Sequence, residues 1–145
     1  MLRAMVMGVS GGGKSSLGRA LAARLDAVFI DADDLHSAEN IAWMAAGKPL
    51  DDAMRWPWLD ACGAAMAGHE RVILACSALK RSYRDRLRLA VPDLRIVYPE
   101  LTFEIVAERL AAREGHFMPP SLLKSQFATL EPPSAEESPC LIPGL

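Results

Sequence analysis

An α/β fold, a parallel sheet with helices on both faces, is what this sequence predicts, and three observations point to it. Four short apolar runs alternate with stretches of helical periodicity. The runs are apolar at consecutive positions and not only at alternate ones, as in strands covered on both faces. The first run leads through a glycine-rich turn straight into a helix. Strands that alternate with helices close through right-handed crossovers, which makes the sheet parallel.

The first strand is LRAMVMGV, residues 2–9. The following SSLGRALAARL repeats Leu17, Leu21 and Leu25 at four-residue spacing, one apolar stripe of a helix. AVFID (27–31), RVILACS (71–77) and LRIVY (94–98) supply strands two to four. Between strands two and three lie Trp43, Trp56 and Trp58, which read as core or hinge packing with one donor each. After strand four, LTFEIVAERLAAR carries a second stripe through Leu101, Ile105 or Val106, and Leu110. The tail EPPSAEESPCLIPGL holds Pro132, Pro133, Pro139 and Pro143. Proline has no ladder donor and interrupts helices, so residues 132–145 are expected to be irregular and the strand count stops at four.

Composition bounds the function. At 145 residues the chain suits one domain, and its 51% hydrophobic and 23% charged residues are ordinary for a soluble globular protein. A net charge of -2 argues against nucleic acid or an anionic membrane as the main partner. No apolar stretch approaches the roughly 18 residues of a membrane span, and the short N-terminal run is no signal peptide. Cys62, Cys76 and Cys140 are scattered without a CxxC, so they read as reduced thiols of a cytoplasmic protein and not as a zinc site.

Gly8-Val9-Ser10-Gly11-Gly12-Gly13-Lys14-Ser15 matches G-x-x-x-x-G-K-[ST] in full, between a strand and a helix, the context the motif requires. Gly8, Gly11, Gly12 and Gly13 let successive N–H groups of the loop, with those of Ser10 and Ser16, turn toward one anion. The helix beyond adds unpaired N–H groups and the positive end of its dipole. Lys14 would place a cation between the β- and γ-phosphates of ATP, and the Ser15 hydroxyl would ligate Mg²⁺.

Strand two ends in IDADDLHSAEN, where Asp31 and Asp33 share a face in extended geometry. Ligands of open α/β sheets sit at this edge. Strand three ends in Cys76-Ser77, where many phosphate-loop NTPases carry a metal-binding aspartate. The acidic contact to Mg²⁺ then falls to Asp31, and Asp33 is placed to accept the proton of an attacking hydroxyl. The alternative for Asp33 or Asp34 is helix capping.

MGVSGGGKSSLG, DADDLHSAENIAWMAAGKPLDD, RWPWL, CSALKRSYRDRLR, REGHF and QFATLE, in this order, resemble the bacterial gluconate kinases, phosphate-loop small-molecule kinases akin in architecture to shikimate and nucleoside monophosphate kinases. The resemblance covers the chain to about residue 131. It implies strand order 2-3-1-4, and transfer of the γ-phosphoryl of ATP to the 6-hydroxyl of D-gluconate. It also implies a kinase domain over 1–131, with a substrate-binding insertion near 35–65 and a lid near 109–121. Two departures stand out. Met54 replaces the acidic residue that precedes the arginine of R-x-P-W-L. The proline-rich tail stands where the family builds a fifth strand and a final helix. A missing edge strand predicts low stability, or a homodimer that covers the exposed apolar surface. A shikimate-type kinase is disfavoured by CSAL at the end of strand three; a nucleotide-binding pseudo-kinase is the rival from another class.

For the substrate, the resemblance points to His36, Asn40 and Arg55, then Lys80, Tyr83 and Arg84. KRSYRDRLR reads equally as an amphipathic helix with Leu79, Tyr83 and Leu87 inward and Lys80, Arg84 and Arg88 in solvent. His36 has a capping reading too, and His69 is assigned no role. Arg109 and Arg113 lie four apart and lead to His116. They read as lid cations over the phosphates, with His116 near the acceptor, and equally as cations in the last turn of a helix that stops at Gly115.

Overall fold

The parallel sheet has five strands in the order β2-β3-β1-β4-β5. It is seen in a computed structural model that describes residues 1–9, 13–112 and 120–143. The elements are β1 (Leu2–Val6), α1 (Lys14–Arg24), β2 (Val28–Asp31), a 3-10 turn (Ala32–Leu35), α2 (Ala38–Ala45) and α3 (Asp52–Ala67). β3 (Arg71–Ala75), α4 (Arg81–Ala90), β4 (Arg95–Glu100), α5 (Phe103–Ala112) and α6 (Pro120–Thr129) follow. A second 3-10 turn (Ala135–Glu137) and β5 (Cys140–Pro143) complete them.

Both faces of the sheet are covered, and the strand period decides which residue goes where. Along β1, Met5 points into a large cluster with Leu59, Cys62 and Met66 of α3 and Leu87 of α4. Its neighbours Ala4 and Val6 point to the other side, where Ala22, Leu17 and Leu21 of α1 meet Ile73 and Phe29. The α1 stripe is thus the expected one, except that Leu25 caps the helix and is partly open to solvent, at 38% exposure. A third cluster joins Val9 and Leu79 to Val106 of α5 and Leu123 of α6. Trp58 is buried in the first cluster, whereas Trp43 is exposed on α2 and donates its indole N–H to the Pro49 carbonyl at 2.9 Å.

The first four strands take the expected order 2-3-1-4, but the fifth is not missing. Residues 140–143, inside the tail expected to be irregular, pair in parallel with β4: Val97 opposes Cys140, Tyr98 opposes Leu141 and Pro99 opposes Ile142. Prolines are tolerated because of position. Pro139 precedes the strand and Pro143 ends it, so Cys140, Leu141 and Ile142 keep their N–H groups, and an edge strand needs donors on one side only. Pro99 lies beyond Val97, the last β4 residue paired with β1. β5 occupies the sheet edge that was expected to be open, which removes the missing strand as an argument for a homodimer.

Candidate active site

The carboxyl ends of β1, β2 and β3 bring the phosphate loop and the acidic pair together. Gly8 adopts φ +144° and Gly13 φ +81°, both in the region that favours glycine. Gly13 is the N-cap of α1 and supplies no side-chain cap, so the first N–H groups of that helix are left for an anion. Lys14 Nζ donates to the Val9 carbonyl at 3.1 Å. Burial lowers its pKa, while the nearby Asp33 carboxylate pulls it back up. A part-buried ammonium beside the glycine loop suits anionic oxygens. Ser16 is exposed in the first turn of α1. Ser10, Gly11 and Gly12 lie outside the described residues, as do Arg113 and His116.

The two expected metal ligands meet directly. Ser15 Oγ donates to Asp31 Oδ2 at 2.9 Å, and Asp31 Oδ1 accepts the Asp33 N–H at 3.0 Å. One carboxylate therefore caps the 3-10 turn that carries Asp33 and holds the hydroxyl of the glycine loop. These are hard oxygen donors beside a phosphate site, and they fit Mg²⁺, which binds through one or two protein oxygens plus phosphate and water. Among the described residues no cluster of three or more His, Cys, Asp or Glu offers an all-protein cage.

Beside this edge opens a cavity of about 510 Å³. One wall carries Asp33, His36, Arg55 and Trp58, and α2 and its loop add Ile41, Met44 and Lys48. The facing wall is Ser77 and Leu79 after β3, with Ser125, Gln126 and Thr129 of α6. Trp58 Nε1 donates to the Ala32 carbonyl at 2.7 Å, which ties α3 to the 3-10 turn. His36 stacks on Trp58 with ring centroids 4.2 Å apart. Burial pushes the imidazole pKa down, against Asp33 and with the help of Arg55, so the ring stays neutral. The Asn40 amide nitrogen approaches His36 Nδ1 at 3.4 Å and donates to the Met54 carbonyl at 3.1 Å. With one hydrogen for each, Nδ1 accepts and Nε2–H is left as the donor.

Arg55 is held by a cluster the sequence reading only partly foresaw. Its Nη1 donates to Tyr83 Oη at 3.0 Å and lies 3.6 Å from Asp52, which also accepts the Tyr83 hydroxyl at 2.6 Å. Lys80 Nζ is 3.8 Å from the same Asp52 oxygen. Burial and the Asp52 hydrogen bond push the Tyr83 pKa up to about 12. Of this group only Arg55 lines the cavity; Tyr83, Lys80 and the overlooked Asp52 orient it. Asn40 likewise stands behind His36 and not on the wall.

Arg84 is not brought to the cavity. It is fully buried, and its guanidinium pairs with Glu137 at 2.8 Å and 3.1 Å. Neither the substrate role nor the solvated-face alternative describes it. Arg109, by contrast, reaches the glycine loop: its Nη1 lies 3.9 Å from where a Cβ on Gly13 would stand. Ser77, Ser125, Gln126 and Thr129 were assigned no binding role from the sequence. The only signal was Ser125 and Thr129 at i, i+4, polar neighbours on one face of a helix otherwise unremarkable.

A family described as "AAA domain" matches residues 4–133. The thermoresistant gluconokinase of Escherichia coli (strain K12) is 43% identical over 142 residues, covering 95% of this chain and 81% of the relative. The gluconokinase of Gluconobacter oxydans (strain 621H) is 48% identical over 138 residues, covering 92% and 77%. The crystal structure of a gluconokinase from Sinorhizobium meliloti 1021 superposes with a TM-score of 0.92 at 48% identity, covering 98% of this chain and 82% of that one. A shikimate kinase from Bacteroides thetaiotaomicron, at 17% identity and TM-score 0.63, shares the fold alone. A phosphate loop, an acidic pair at the next strand's end and relatives of this similarity over nearly the whole chain lead to one statement: the chain belongs to the gluconokinase family of phosphate-loop kinases.

Proposed function

We propose that the protein transfers the γ-phosphoryl group of ATP to the 6-hydroxyl of D-gluconate, giving ADP and 6-phospho-D-gluconate. The observation that carries this is the place of Asp33. It lines the cavity, and its charge acts on Lys14 in the phosphate loop, so acceptor and donor sites meet at one carboxylate. The glycine loop and the start of α1 hold the triphosphate, with Lys14 countering charge that develops on the transferred group. Ser15, with Asp31 behind it, would hold Mg²⁺, which when bound would supply charge neutralisation for the phosphates. Asp33 orients the acceptor hydroxyl and takes its proton. Arg55 and Lys48 are the cations available to the sugar-acid carboxylate, and His36 Nε2–H, Ser77, Ser125, Gln126 and Thr129 match its hydroxyls.

Residues 35–65 serve in this reading as the acceptor-binding insertion, and 109–121 as the lid, with Arg109 and Arg113 over the phosphates and His116 near the acceptor, excluding water. A cytoplasmic setting suits free Cys62, Cys76 and Cys140, and among the described residues no helix is long and apolar enough to cross a membrane. The test is ADP release from ATP·Mg²⁺ with gluconate, shikimate or no acceptor. Saturable release with gluconate alone is expected. Release with shikimate but not gluconate removes the acceptor assignment, and nucleotide binding without release in any arm removes catalysis.

A further inference from the structure

Among the described residues Arg84 is the largest fully buried side chain, and it does not itself line the cavity. Burying an ion pair costs more than burying apolar groups of the same volume, so its bonds show what it does. Nη1 donates to two successive carbonyls, Ala78 at 2.9 Å and Leu79 at 3.3 Å. Nε and Nη2 are gripped by Glu137, which also accepts the Arg88 Nη2–H at 2.6 Å and the Ser134 N–H at 2.9 Å. The guanidinium is thus fixed from the tail and spent on one turn.

That turn joins three parts of the site. Ala78 sits at φ +36°, a left-handed conformation that an alanine keeps only when its surroundings impose it. Ser77, just before it, lines the cavity, and its carbonyl accepts the Gly8 N–H of the phosphate loop at 3.4 Å. Leu79, just after it, also lines the cavity, and its carbonyl accepts the Glu131 N–H at 2.7 Å. Glu131 follows α6, the helix that supplies the facing wall.

We infer that Arg84, oriented by Glu137, is a positioning residue for the acceptor: it sets the Ser77–Leu79 turn and so the spacing between the phosphate loop and the α6 wall. This rests on the acceptor reading above for its kinetic consequence, though not for its structural one. Removing the donors lets Ala78 relax from its left-handed conformation, which displaces Ser77 and Leu79 together. Misplacement of a binding group by a fraction of an ångström weakens acceptor binding and leaves the nucleotide's own contacts in place.

The experiment compares wild type with Arg84→Met, which removes the donors while Arg88 and Ser134 still hold Glu137, and Arg84→Lys, which keeps the charge without the fork. Kinetics are measured well below each variant's Tm, and amide hydrogen exchange is followed at Gly8 and Glu131. In Arg84→Met the KM for gluconate should rise about tenfold or more, with KM for ATP and kcat changed less than about threefold. Arg84→Lys should fall between, and exchange at both amides should quicken about tenfold. A lower Tm with unchanged gluconate KM and unchanged exchange overturns the inference. If Arg84→Met does not fold, Glu137→Gln carries the same comparison. If wild type does not phosphorylate gluconate, the acceptor reading fails, and exchange at Gly8 and Glu131 alone decides whether Arg84 sets the turn.

Discussion

Acidification tests the Glu137 site by a route independent of turnover. Burial acts to raise the pKa of this carboxylate, but hydrogen bonds from Arg84, Arg88 and the Ser134 N–H pull it from an ordinary 4.5 down to about 2. The folded state therefore binds the proton more weakly than the unfolded state. The resulting stability is complete above pH 4.5 and is lost as pH falls toward 2. At about 1.4 kcal/mol per unit, the full linkage is about 3 kcal/mol, of which about 2 kcal/mol disappears between pH 7 and pH 3. Urea unfolding of wild type and Glu137→Gln, followed by circular dichroism at pH 7, 5, 4 and 3, isolates this contribution from the other carboxylates. The stability difference between the two proteins should be constant from pH 7 to 5 and should shrink by about 2 kcal/mol at pH 3. A difference that stays the same at every pH would refute the claim that Glu137 is ionised and held by its partners in the folded protein.

Other expectations follow from the site and the packing. Lys14→Ala should cost about 100-fold or more in kcat while the circular dichroism spectrum is unchanged; a near-normal rate would remove Lys14 from the chemistry. Asp33→Asn should lower kcat by about 100-fold or more with little change in KM for ATP, and a loss confined to KM would leave Asp33 a binding group only. A Cβ on Gly63 of α3 would stand 2.9 Å from the Ala90 Cβ of α4, so Gly63→Ala should destabilise by about 1–2 kcal/mol despite the helix propensity it gains. Adding Ala90→Gly should recover part of that loss in thermal melts, and no recovery would place the clash elsewhere. A native thiol titration should find Cys140 reactive and Cys62 and Cys76 protected, since both are buried and a hydrogen bond with Cys76, added to by burial, pushes the Cys62 thiol well up.

Local chemistry decided which features were legible in the sequence. The glycine loop carries its mechanism in residue types alone, so Gly13, Lys14 and Ser15 were readable before any fold, and Asp31 followed from strand geometry. β5 was not. Three pairing residues between prolines have no strand signal of their own; the pairing with β4 supplies it. Arg84 had the spacing of a solvated helix face, and only Glu137, 53 residues away in sequence, makes it a buried ion. Asp52 was invisible for a similar reason: its importance lies in Tyr83 and Lys80, which approach from a different helix. The α6 wall carried no more signal than any polar helix.

The tie between Arg84 and Glu137 has a consequence for biosynthesis. The chain emerges from the ribosome amino end first, so the loop that binds nucleotide is exposed long before the carboxylate that braces the acceptor pocket has been translated. A nascent polypeptide arrested before Glu137 would carry a phosphate loop without a finished sugar-acid pocket, and the brace on that pocket would have to wait until the codon for Glu137 had been read.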